Sequence, residues 1–182
     1  MRLLANGILG ILTLLYPLAV FYGNQFLEPW KIAAMLIMLL SIRLVFSYPN
    51  KNWTTLLLLA GIGYSLFAMW SNQLSVLRFY PVLVNALMLL IFGWSLFSTQ
   101  SLVERIARLQ HPDLPTQGII YTRRVTQIWC GFFIINGTIA FITTHLSLEI
   151  WSLYNGLIAY FLMGILFAAE YLVRIKTQNY VR

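Results

Sequence analysis

The chain has 182 residues, 60% of them apolar and only 9% charged, with a formal net charge of +7. Soluble domains run near 45–50% apolar and about 25% charged, so a surface mostly in water is excluded. Six apolar runs approach or reach the ~20 residues that cross a ~30 Å hydrocarbon core, and they leave no room for a separate soluble domain.

The first run covers residues 3–22. Arg2 precedes it, but Val20, Phe21 and Tyr22 stand where a small-x-small cleavage site would lie, so it reads as an uncleaved helix. Pro17 is expected to bend it near its outer end. The second and third runs, 30–47 and 54–70, contain stretches such as AAMLIMLL and TTLLLLAGIG. These are continuously apolar rather than alternating, which predicts helices and not a barrel. The fourth run, 79–97, follows Arg78, and 125–144 and 151–173 are the fifth and sixth. Gly7 with Gly10, Gly61 with Gly63, and Gly156 with Gly164 permit close helix contacts. The predicted fold class is all-α: one integral membrane domain over residues 1–182, with six transmembrane helices.

Between the fourth and fifth runs lies SLVERIARLQHPDLPTQGIIYTRR, residues 101–124. Leu102, Ile106 and Leu109 fall on one helical face, while Glu104, Arg105 and Arg108 fall on the other, and Glu104 and Arg108 form a favourable i,i+4 pair. An interfacial amphipathic helix is expected here, ending before Pro112. Arg123 and Arg124 are placed where the fifth helix re-enters the bilayer.

With six spans, ten of the twelve basic residues fall on one side: Arg2, Arg43, Lys51, Arg105, Arg108, Arg123, Arg124, Arg174, Lys176 and Arg182. Lys31 and Arg78 fall on the other. Basic residues beside short loops stay cytoplasmic, so both termini are expected in the cytoplasm. Trp30, Trp53, Trp70, Trp94, Trp129 and Trp151 lie near predicted span ends, as an interfacial belt requires. The charge then belongs to the inner face and implies anionic lipid headgroups as partners, not nucleic acid.

Polar residues within the membrane are costly and are the first candidates for function. Arg78, Tyr80, Asn85, Asn136 and Asn155 form a candidate polar cleft; the competing reading is that each asparagine clamps neighbouring helices. Glu170, the one acidic residue inside a span, is expected to pair with Arg43 or Arg123. No G-x-S-x-G, H-E-x-x-H, P-loop or CxxC is present. The single Cys130 leaves no intrachain disulfide, His111 and His145 lie on opposite sides, and neither a metal nor a cofactor is called for.

The stretches RFYPVLVNALMLLIFGWSL, LVERIARLQHPDLP, YTRRVTQIWCGFFIINGTIAF and WSLYNGLIAYFLMGILFAAEYLVR resemble a family of uncharacterised bacterial inner-membrane proteins encoded beside the ketosynthases, acyl carrier proteins and acyltransferases of aryl-polyene and related pathways. The resemblance covers about residues 78–174. More distantly, the order Leu102, Arg105, Leu114, Pro115, Arg123, Trp129, Phe132, Phe133, Gly137, Trp151, Gly156, Tyr171, Arg174 is similar to intracellular septation protein A. Neither family supplies a catalytic residue. The resemblance implies cell-envelope biogenesis beside lipid-tail assembly. Two functions follow as expectations. One is a non-enzymatic accessory that scaffolds or handles lipid and docks acyl carrier or acyl-transfer proteins through Arg105, Arg108, Arg123 and Arg124. The other is a small lipid or anion transporter or flippase subunit, or a membrane transferase, built on the polar cleft.

Overall fold

A computed structural model describes residues 15–46 and 52–179. Most of the first expected span lies outside the described residues, as do Arg2, Gly7, Gly10, Lys51 and Arg182. Every regular element among the described residues is helical, as the continuous apolar runs require. In chain order these are α1 (Tyr16–Gly23), α2 (Pro29–Phe46), α3 (Asn52–Ser71), α4 (Leu74–Arg78), α5 (Tyr80–Leu96), α6 (Leu102–Arg108), α7 (Thr116–Thr143), α8 (Leu148–Leu153), a π-helical turn (Tyr154–Ile158) and α9 (Ala159–Asn179).

Among the described residues, length and composition mark two candidate spans. Thr116–Thr143 and Leu148–Ile175 are long and apolar enough to cross a membrane. Tyr80–Leu96 is apolar but shorter; its 17 residues at ~1.5 Å each cover ~26 Å, less than the ~30 Å of a hydrocarbon core, whereas the 20 residues of α3 reach it.

Two compact units are built from interleaved segments. The first takes the described residues up to Val84 together with Thr138–Gly156. Within it α2 and α3 run antiparallel. Asn72 ends α3 with a left-handed φ of 50°, a conformation asparagine tolerates at a helix C-terminus. Its Oδ1 accepts from the Trp30 N–H at the start of α2 (3.1 Å). A Cβ on Gly61 would come within 2.9 Å of Leu40, and one on Gly156 within 3.0 Å of Leu18, so these two glycines do mark close approaches; Gly63 and Gly164 face open space. Pro17 stands in the first turn of α1, where its missing N–H leaves no helical bond unmade. The core gathers Val20, Ala33, Leu36, Leu40, Ala68, Leu77 and Trp151.

The second unit takes Asn85–Gly137 and the chain from Leu157 onward. Val125, Trp129 and Phe133 recur every fourth residue on one face of α7 and form its core. Phe92 of α5 meets Phe133 edge-on at 5.1 Å, and Phe167 of α9 lies 4.6 Å from Trp129. Such ring pairs add to simple area burial.

Two tryptophans correct the belt expectation. Trp129 is 7% exposed and Trp151 0%. Helix α7 begins at Thr116 instead of 125, which moves Trp129 from a helix end to mid-helix. Trp70 and Trp94 remain exposed. Truncating Trp129 to Ala should lower the unfolding midpoint in detergent by the equivalent of about 3–5 kcal/mol, as large-to-small core changes do, while Trp70→Ala should change it little. Equal shifts for the two would remove Trp129 from the core.

Candidate functional site

The most polar junction of the first unit surrounds the break between α4 and α5. Pro81 stands in the first turn of α5, a position its ring favours, and it has no N–H to offer Leu77 O four residues back. The carbonyls on the α4 side also meet side chains, Val76 O in addition to the Phe79 N–H it accepts at 3.0 Å. Tyr64 OH donates to Val76 O, Tyr16 OH to Leu77 O (3.2 Å), and Trp151 Nε1 to Arg78 O (2.9 Å). Three consecutive carbonyls are thus met by three aromatic donors from α3, α1 and α8. Tyr80, 9% exposed, sets its ring 4.6 Å from that of Tyr16 at a tilt of 54°, so it is a packing residue of the junction.

The Arg78 side chain leaves the break in another direction and caps α7. Nη2 donates to Thr143 O (2.9 Å), Leu146 O and Ser147 O (3.4 Å). The last turn of a helix carries orphan carbonyls and a partial negative charge, and a guanidinium suits both. Burial draws the Arg78 pKa down from its ordinary value, but the group stays protonated at any physiological pH. Asn155 reaches the same helix end. Its Nδ2 donates to Thr143 Oγ1 (3.0 Å) and to Trp151 O (2.9 Å). This second bond competes with the backbone for an acceptor four residues back, and the ladder widens into the π turn at that point. Arg78 and Asn155 therefore converge on Thr143, a residue that sequence reading did not single out.

Asn85 and Asn136 belong to the second unit. They are 7% and 6% exposed, and Asn136 Nδ2 donates to Asn85 Oδ1 at 3.0 Å. Gly137 makes room for the pair, since a Cβ there would lie 3.1 Å from Asn85 Cβ. The five residues expected in one cleft are thus divided, Arg78, Tyr80 and Asn155 in the first unit and Asn85 with Asn136 in the second. In each unit the amides hydrogen-bond between helices.

The α5–α7 connection is more ordered than a solvated linker. Ser101 caps α6 by accepting from the Glu104 N–H (3.4 Å). Glu104, expected on the outer face, is 3% exposed. Its Oε1 receives both Nε and Nη2 of Arg108 at 2.9 Å, and a carboxylate so paired can be buried. Ile106 and Leu109 project outward beside Arg105. Three of the four candidate docking arginines also hold carbonyls: Arg105 that of Gln100, Arg108 that of Pro112, and Arg123 that of Leu96 at the end of α5 (2.7 Å). Arg124 is exposed and forms no hydrogen bond or ion pair among the described residues. Both Arg123 and Arg124 lie inside α7, not at its entry.

Glu170 finds its cation on its own helix. Arg174 Nε lies 3.9 Å from Glu170 Oε1, and Tyr121 OH donates to the same oxygen at 3.2 Å. The expectation names Arg43 or Arg123; the ion pair found is this i,i+4 pair with Arg174. No group of His, Cys, Asp and Glu that could hold a metal occurs among the described residues.

No family model, curated protein or solved structure matches the chain.

A double-mutant cycle tests the origin of the aromatic clasp. Tyr16→Phe should cost about 1–3 kcal/mol by leaving a buried carbonyl unpaired. Placed on a Pro81→Ala background, which returns an N–H to Leu77 O, the same change should cost clearly less. Additive midpoint shifts in thermal unfolding would separate the clasp from the proline.

Proposed function

We propose that the chain is a multi-pass inner-membrane protein of the bacterial envelope, with six spans and both termini in the cytoplasm. In this reading it is a non-enzymatic accessory of lipid-tail assembly that docks acidic acyl carrier or acyl-transfer proteins on its α5–α7 connection. The ten-to-two division of its basic residues supports the orientation. The sequence resemblance to membrane proteins of aryl-polyene gene clusters supports the setting. α2, α3 and α5 serve as additional spans by tilting little, α2 and α5 also drawing the bilayer thinner around them, which costs only fractions of a kcal/mol per Å.

One observation carries the docking role. Glu104, which would oppose an acidic partner, is buried against Arg108, while Arg105 is exposed on the connection and Arg123 and Arg124 are exposed in the first half of α7. Cations held in place by their own loop lose little freedom on binding, and a positive face steers acidic partners toward it. The buried amides, bonded to one another and to Thr143, favour helix clamping over transport. α6, with Ile106 and Leu109 outward, is read as lying in the membrane interface.

Reporter fusions at residue 110 should read cytoplasm, and fusions near 74 and 147 should read periplasm; a periplasmic reading at 110 inverts the orientation. For docking, Arg124→Glu is the clean probe, since Arg124 holds none of the loop. It should reduce recovery of an acyl carrier protein on isolated membranes about tenfold, the effect of ~1.4 kcal/mol, and leave insertion unchanged. Unaltered recovery would sink the docking role.

A further inference from the structure

Arg78 stands where an unneutralised charge meets an apolar groove. Its Nη2 is spent on the end of α7, and its Nε is buried without a partner among the described residues. Nη1 makes no hydrogen bond among them and is not enclosed. The ion pairs among the described residues are Lys31–Glu28, Arg108–Glu104 and Arg174–Glu170, so no carboxylate answers Arg78. Helix-end carbonyls offset only about half a charge. A half-buried guanidinium in apolar surroundings then keeps a strong preference for an anion.

The residues on either side of Arg78 point to which anion. Val76 and Phe79, with Tyr64, Phe67, Val82 and Leu83, line an open groove of about 360 Å³. Its one side-chain polar group, the Tyr64 hydroxyl, is turned onto Val76 O, so nothing in the groove asks for water or a polar ligand. The Phe79 ring lies 6.5 Å from the exposed His145 ring, at the same end of α7 that Arg78 caps. Phe79 is thus the link between the two: it lines the apolar groove, and its ring meets Phe141 and His145 at the end of α7 to which the Arg78 guanidinium also reaches.

We propose that this groove binds one anionic phospholipid, an acyl chain lying along Tyr64, Phe67, Val82 and Leu83 and a phosphate oxygen taking Arg78 Nη1. The planar guanidinium suits phosphate oxygens. A free phosphate would leave the apolar floor uncovered, and a zwitterionic lipid would bring its own cation to Arg78. The site presupposes that the chain resides in the bilayer, the reading given above.

The test uses the full-length chain. Membranes are first washed with alkaline carbonate; the protein is then purified in neutral detergent and titrated with phosphatidylglycerol, with phosphatidylcholine of the same acyl chains, and with inorganic phosphate. Bound lipid is counted by native mass spectrometry. The wild type should retain phosphatidylglycerol over phosphatidylcholine by about tenfold, the size of one charge-assisted hydrogen bond. Arg78→Gln should abolish that preference. Because Arg78 also caps α7, it is paired with Val82→Trp, which fills the groove, leaves the cap intact and should lower retention of both lipids. Equal retention of the two lipids by the wild type, full retention by Val82→Trp, or saturation by phosphate alone would overturn the site. Release of the wild type by carbonate would instead overturn the membrane reading itself.

Discussion

Backbone carbonyls left without an N–H are the constraint on which this structure turns. A helix end leaves four of them, a proline leaves one more, and in apolar surroundings each unpaired oxygen costs about 1–3 kcal/mol. The chain has few polar side chains with which to answer. It answers with tyrosine and tryptophan at the α4–α5 break and with arginine at the ends of α5 and α7. Aromatic donors combine a large apolar body with one polar tip, so they satisfy an oxygen without bringing water inward.

The same need explains why arginine, rather than lysine, fills the connection between α5 and α7. Gln100, Pro112 and Leu96 each present a carbonyl that a guanidinium meets, and a fork with several donors can hold one and still expose charge. Order and charge are therefore supplied by the same residues. Glu104 belongs to this scheme: buried against Arg108, it stiffens α6 and withdraws its negative charge from the surface. The electrostatic character proposed for docking depends on that withdrawal.

How much of this was legible in the sequence varies with the range of the interaction. The i,i+4 pairs Glu104–Arg108 and Glu170–Arg174 lie one turn apart, and the first was readable from spacing. Depth along the membrane points Glu170 to Arg43 or Arg123, whereas the nearer cation, Arg174, stands one turn along its own helix. Asn85 with Asn136, 51 residues apart, could be marked as polar but not matched. Thr143 left no signal at all. A threonine near a helix end is ordinary until Arg78 and Asn155 are seen to converge on it.

By itself the sequence determined the all-helical class, the positions of the apolar helices and the clustering of cations, because all of these follow from local backbone chemistry and from residue composition. Tertiary structure alone decided which tryptophans are buried, which glycines touch a neighbour, which carbonyl each donor serves, and that Glu104 turns inward. Periodicity states that a helix has an apolar face. Which residues meet across that face depends on how far each helix extends and how closely its neighbours approach. The start of α7 at Thr116 changed the role of Trp129, and the contact between Gly137 and Asn85 set the place of the amide pair.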